Sequence, residues 1–335
     1  MRISNFQQEV REDRVMVSAD VDWEDNDLPA ESIRFVAEGV LPRELVPSPE
    51  GFAIRGALAA LHRNESRVLV EGPLCPRLRD GLRASLRTLR AWWAPGKAVP
   101  ALEASGGFRA RYPPRPHAAL FLSCGFDSLF VLQSNRSSFP ADHPASFRTA
   151  IFVPDFGALR EAVSSPRAMD FLARQRRALE KIAPAAGVRL LSVSDHSGTL
   201  GESDEFFTMS SHGAHLAAIA HFLPELSSVS IAASHDCTAL DPLGSHPLLD
   251  PNYSSSSLEI RHEGTAFTRL ERVGSIARWK EILPHAVVCS RGPFAPSRSN
   301  CGRCEKCLRT MIELLLSDSL SEDGPFSAAD VDPSG

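Results

Sequence analysis

The 335-residue chain has no run approaching the ~18 apolar residues of a membrane helix, and no apolar signal-peptide core follows Met1. The expectation is a cytoplasmic protein with no membrane partner. It also lacks an excess of either charge. Thirty-six Lys and Arg stand against 41 Asp and Glu, a net charge of −5, which is no footprint for general nucleic-acid binding. Cysteine is too scarce for a disulfide framework, with seven in the whole chain and Cys75, Cys124 and Cys237 scattered along it. No internal repeat is present.

The other four cysteines are clustered. Cys301, Cys304 and Cys307 are spaced by two residues each, and Cys289 lies twelve positions upstream of Cys301. Cys-x2-Cys turns bring consecutive sulfurs onto one ion, and four thiolates complete a tetrahedral zinc site with no open position. The metal is therefore expected to be structural. Ferredoxin-type runs add a further cysteine soon after the third, which is absent here.

Residues 1–105 read as an α/β module. Alternation and β-branching predict strands over 14–19, 32–36 and 67–70, and helices over 52–62 and 77–93. In the second helix Leu78, Leu82, Leu86 and Leu89 recur at helical spacing, with arginines on the opposite, solvated face. The Gly- and Pro-rich residues 106–116 read as a linker. From 117 to 318 strands alternate with helices, which predicts βαβ units and a parallel sheet. Strands are expected over 118–123, 149–154, 189–194 and 229–233, with helices over 127–133, 158–182 and 212–222. The tail, 319–335, is rich in Ser, Asp, Pro and Gly and is expected to be disordered.

The first of these core strands runs straight into Ser123-Cys124-Gly125-Phe126-Asp127-Ser128, where a helix begins. Small residues let backbone N–H groups approach an anion, hydroxyls add donors, and a helix N-terminus adds partial positive charge. Such a turn suits a phosphate, with Asp127 either capping the helix or helping to hold Mg²⁺. An ordinary strand-to-helix turn capped by Ser and Asp has the same composition.

Ser123, Gly125, Asp127 and Ser128 match the Ser-Gly-Gly-x-Asp-Ser loop of the N-type ATP pyrophosphatases, and the segment resembles that PP-loop family. Cys124 stands where the family has its first glycine. Within that family, Cys289 with Asn300-Cys301-Gly302-x-Cys304-x-x-Cys307-Leu308-Arg309 is similar to the 7-cyano-7-deazaguanine synthase group. The resemblance covers roughly residues 117 to 315. It implies an adenine nucleotide alpha hydrolase-like core with a zinc knuckle, preceded by a smaller α/β domain.

It also implies an ATP-dependent carbon–nitrogen ligase that uses ATP, Mg²⁺ and Zn²⁺. The enzyme would adenylate a carboxylic acid, 7-carboxy-7-deazaguanine or a relative, and pass it to ammonia, an amine or a protein. By the same resemblance Asp127 and Ser128 are catalytic, and Ser123, Cys124, Gly125, Phe126, Asp155 and Phe156 hold the nucleotide. His212, His235, Asp236, His246 and Asp250 are the candidates for substrate contact, and a homodimer is implied. The Gly-Arg-Asn element of the deazaguanine enzymes is replaced by Met209-Ser210-Ser211-His212-Gly213, which predicts a changed substrate pocket. Other readings are a tRNA-modifying PP-loop enzyme (thiolase or lysidine-type) and an inactive zinc-knuckle interaction protein.

Overall fold

The computed structural model describes residues 1–154, 165–197, 200, 202–289, 299–321 and 324–326. Asp155, Phe156, the first part of the helix expected over 158–182 and most of the tail lie outside the described residues.

The strands are β1 (Arg2–Arg11), β2 (Arg14–Asp22), β3 (Glu31–Glu38), β4 (Arg67–Val70), β5 (Ala101–Ala104), β6 (Ala118–Phe121), β7 (Phe147–Phe152), β8 (Arg189–Asp195), β9 (Ser228–Ala232) and β10 (Glu259–Glu263). The helices are α1 (Pro49–Arg63), α2 (Pro76–Trp93), α3 (Phe126–Ser138), α4 (Pro166–Ala185), the single turn α5 (Asp204–Phe206), α6 (His212–His221), α7 (Arg269–Ala277) and α8 (Glu305–Leu316). A π-helical turn, Phe207–Ser211, joins α5 to α6. Hydrogen bonding links the strands into one ten-stranded sheet in the order β10-β9-β6-β7-β8-β3-β2-β1-β4-β5. The architecture is α/β.

The sheet is mixed. β1, β2 and β3 form an antiparallel meander, and β3 pairs antiparallel with β8 through Phe35–Asp195, Val36–Ser194 and Ala37–Val193. β4 pairs parallel with β1 and β5. β9 and β10 are parallel as well, because Glu259 N donates to the Ser227 carbonyl at one end and Ala233 N to the Glu263 carbonyl at the other.

The chain divides into two compact units. One comprises Met1–Ala119, Leu191–Ile231 and Asp241–His262; the other comprises Leu120–Leu190, Ala232–Leu240 and Glu263–Gly335. In the first unit, alternation in β2 and β3 buries Val15, Val17, Ala19, Val21, Ile33, Phe35 and Ala37 on one face. Helix α1 is buried from Pro49 to Leu61 and packs on α6. Its Gly51 permits the approach, since a Cβ there would lie 2.6 Å from the Phe222 ring. Phe52 and Phe222 meet with ring centroids 4.7 Å apart, and Phe35 joins them at 5.1 Å from Phe222. Each fully buried Phe contributes roughly 1.5–3 kcal/mol to this core. Helix α2 buries Leu78, Leu82, Leu86 and Leu89 as the spacing predicts.

In the second unit, the helices start on chemically distinct caps. Ser165 Oγ accepts from Ala168 N at the start of α4, and Thr268 and Glu271 form a capping box at α7. Gly125 caps α3 and Cys304 caps α8. The fold thus places the chemically distinctive turn and two of the clustered cysteines at helix amino ends.

Candidate functional site

The four clustered cysteines come together although Cys289 is separated from the others in sequence. Cys304 precedes α8 and Cys307 lies in its first turn. Gly302, at φ 70°, lets the chain reverse between Cys301 and Cys304. Asn300 ties the two arms together: its Oδ1 accepts from Val288 N and its Nδ2 donates to the Ala286 carbonyl, both at 2.9 Å. The Sγ atoms of Cys289 and Cys304 are 3.8 Å apart, those of Cys301 and Cys307 are 3.9 Å apart, and all four lie within 4.8 Å of one another. Zn–S bonds of ~2.3 Å at tetrahedral angles give sulfur–sulfur edges of roughly 3.8 Å. The four thiols can therefore hold a metal ion such as zinc, and they fill its coordination sphere.

The turn after β6 is built on two hydroxyls and one unusual backbone. Ser128 Oγ donates to the Gly125 carbonyl at 3.0 Å, accepts from Ser123 N at 3.3 Å and lies 3.4 Å from Ser123 Oγ. Gly125 N donates to Ser123 Oγ at 3.4 Å. Cys124 has φ 63°, in the left-handed region that favours glycine. Its side chain is fully buried, with Sγ 3.8 Å from the Gln175 carbonyl on α4, and its own carbonyl accepts from Val287 N at 3.0 Å. Burial pushes the thiol pKa up, so Cys124 is a packed neutral group and no nucleophile. Phe126, the first residue of α3, is buried as well.

Asp127 points to a pair of arginines that sequence reasoning did not single out. Arg272 is 1% exposed. Its Nη1 donates to Asp127 Oδ1 at 2.8 Å and to the Ala233 carbonyl at 2.5 Å. Nη2 donates to the carbonyls of His235 and Gly264 at 3.2 and 3.0 Å, and Nε to that of Phe267 at 3.1 Å. All five guanidinium donors of Arg272 are thereby engaged. Arg269 lies 3.8 Å from Asp127 Oδ2, donates to Thr310 Oγ1 at 2.9 Å, and pairs with Glu313 at 3.3 Å. Burial pushes the Glu313 pKa up, against the opposing charges of Arg269 and Arg309.

His235 and Asp236 lie in the turn after β9, and Arg272 brings the His235 backbone to the Asp127 side chain. Asp236 accepts from Thr238 N and Oγ1, which holds its pKa below the usual aspartate value. The strand order runs β6-β7-β8 in one direction and β9-β10 in the other. Ligands of open α/β sheets bind outside the carboxyl ends of strands at such a reversal. The turns following β6 and β9 both stand there.

The other three substrate candidates belong to the first unit. Asp250 is fully buried, accepting from Ser245 Oγ at 2.6 Å and pairing with His262 Nδ1 at 2.8 Å through the same oxygen, Oδ2. Gly213 makes room for this carboxylate, because a Cβ there would lie 2.3 Å from Asp250 Oδ1. His212 precedes that glycine and bonds the Thr208 carbonyl through Nδ1 at 2.9 Å. Burial lowers its pKa, with the Asp250 charge opposing. His246 is buried edge-on to Trp92, its Nδ1 accepting from Leu248 N. His212 and Asp250 thus both lie beside Gly213, and His246 lies against Trp92. His262 has no sequence signal of its own, and Gly213 has only its place in the Met209–Gly213 element; the close approach to Asp250 shows what each does.

Comparison of the chain with protein-family models, with curated proteins and with solved structures finds no match.

Proposed function

We propose that the chain is an ATP-dependent carbon–nitrogen ligase of the 7-cyano-7-deazaguanine synthase-like kind. One observation carries this reading. The Ser123–Ser128 turn stands at the reversal of strand order and keeps a left-handed backbone at Cys124, φ 63°, the geometry a glycine takes. A glycine, which the resembled loop has at this position, would adopt that backbone without strain. The Cys289–Cys307 centre, whose spacing suits zinc, belongs to the same reading as a structural clamp.

In the proposed reaction a carboxylate oxygen of the acid attacks the α-phosphorus of ATP. The bond from that phosphorus to the β-bridging oxygen breaks, and pyrophosphate leaves with the electron pair. An amine nitrogen then attacks the acyl carbon, the bond to AMP breaks, and the nitrogen gives up a proton as the amide forms. The chain's part is positional and electrostatic. Backbone N–H groups of the turn and the hydroxyls of Ser123 and Ser128 would hold the departing pyrophosphate. Arg269, near Asp127 Oδ2, would supply positive charge. Asp127 is partly exposed, with Oδ1 held by Arg272 and Oδ2 3.8 Å from Arg269, and it is the carboxylate that would help to hold Mg²⁺. One carboxylate plus phosphate oxygens is the usual Mg²⁺ environment.

The test is pyrophosphate release from ATP with a panel of carboxylic acids that includes 7-carboxy-7-deazaguanine. Acid-dependent release is expected, and Ser128→Ala or Asp127→Ala should lower kcat by about 10²-fold or more. Full activity in either variant would remove the turn from the mechanism. ATP that is neither bound nor cleaved would leave the cysteine centre as an interaction knuckle.

A further inference from the structure

The second unit contains a cavity of about 690 Å³ that none of Ser123, Gly125, Asp127 and Ser128 lines. One wall is helix α4, which presents Arg174, Arg177 and Lys181 at helical spacings of three and four residues. The facing wall is the segment Pro284–Val287 with Asn300. Glu180 is the carboxylate among the lining residues. Three cations against one anion is a strong local excess in a chain whose net charge is −5.

The cations are also poorly compensated. Arg174 pairs with Asp170, yet its Nε and Nη2 are buried with no hydrogen-bond partner among the described residues. Buried guanidinium nitrogens left in this state call for an anion or ordered water. No ion pair involves Arg177 or Lys181 among the described residues. His285 adds a ring whose pKa is pushed down by burial and by the Lys181 charge.

We infer that this cavity is a binding site for a phosphate-bearing small molecule. Guanidinium forks match phosphate oxygens bidentately, and Lys181 adds a point charge one turn further along the helix. The volume falls within the range of small-ligand sites, roughly 300–1,000 Å³. Both walls converge on one residue of the turn after β6. Cys124 Sγ contacts the Gln175 carbonyl on α4, and the Cys124 carbonyl accepts from Val287 N on the facing wall. The site stands on its own residues and does not depend on the ligase reading.

The experiment is isothermal titration of the full chain with inorganic tripolyphosphate in a Ser128→Ala background, which weakens the turn as a competing anion site. One bound tripolyphosphate is expected, and adding Arg174→Ala with Lys181→Ala should weaken it at least about tenfold. An Arg83→Ala/Arg87→Ala control, on the exposed face of α2, should leave it unchanged. Equal weakening by the control would reduce the effect to diffuse charge and overturn the proposal. So would affinity unchanged by the cavity substitutions, or no binding in the Ser128→Ala chain. Failure of the ligase reading looks different: no pyrophosphate release from the unaltered chain, with tripolyphosphate binding intact.

Discussion

At the scale of single residues, Cys124 is the position where residue type and backbone disagree. A non-glycine residue in the left-handed region costs roughly 1–2 kcal/mol, which glycine avoids. The buried sulfur returns part of that through packing, on the order of 0.8 kcal/mol per buried methylene-sized group. Cys124→Ala deletes the sulfur and keeps the strain; Cys124→Gly deletes both. In a helix or strand, alanine is the more stabilising of the two. At position 124 the order should reverse, with the glycine variant more stable by about 1 kcal/mol. Denaturant unfolding of the two variants decides this, and an alanine variant at least as stable would mean that the turn does not hold φ near 63°. Residues of this kind show where sequence reading stops. Asp127 was legible as a candidate from its motif, but its partner Arg272 lies 145 positions away. No local pattern connects them, and the Thr268–Glu271 capping box marks only where α7 begins.

At the scale of elements, legibility follows periodicity. Helix α2 and strands β2 and β3 emerge where the repeat of buried positions announces them. Strand β1 does not, because Ile3 is its single fully buried position and, apart from Phe6 and the exposed Val10, the remainder is polar. Strand β10, Glu-Ile-Arg-His-Glu, hides for the same reason. Helix α8 is the element on which the cysteine centre bears most directly. Cys304, Cys307, Thr310 and Glu313 recur every three residues, so the stripe that begins with two sulfurs ends on the groups that hold Arg269. The opposite face exposes Leu308, Ile312, Leu315 and Leu316, so the helix is anchored along one side only, where Met311 and Leu314 are its buried apolar residues. Its amino-terminal turns have the sulfur cluster as their anchor. Removing metal with a chelator should speed hydrogen exchange of the α8 amides at least about tenfold and leave those of α1 unchanged. Unaltered protection of α8 after complete metal removal would show that the cluster does not organise the helix.

At the scale of the whole molecule, pH acts through groups buried in the first unit. Asp195 is a nearly buried carboxylate whose desolvation alone would raise its pKa, but His215 and Arg55 outweigh that and hold it below its ordinary 3.8. Arg55 is itself buried, 2.6 Å from Glu202 and 3.7 Å from Asp195. A carboxylate with a depressed folded pKa favours the native state fully above the unfolded value, and this advantage is lost as pH falls through the folded value. His212 and His221 work in a higher window. Burial pushes both below 6.5, opposed at His212 by the Asp250 charge and at His221 by its bond to the Tyr253 carbonyl. The folded chain resists protonating them and the unfolded chain does not, so their effect is absent well above 6.5 and destabilising below it. Calorimetric unfolding from pH 8 to pH 3 should therefore show a nearly level Tm down to about 7. A decline should set in below 6.5, with a further loss beginning below about 4. Asp195→Asn leaves Arg55 and His215 without one compensating charge, and should cost about 3–5 kcal/mol at pH 7 while making the lower step smaller, the remainder coming from other carboxylates held low, among them Glu65 and Asp236. A Tm that rises between pH 7 and pH 5, or an Asn variant whose lower step is undiminished, would mean that these buried groups do not control the acid response.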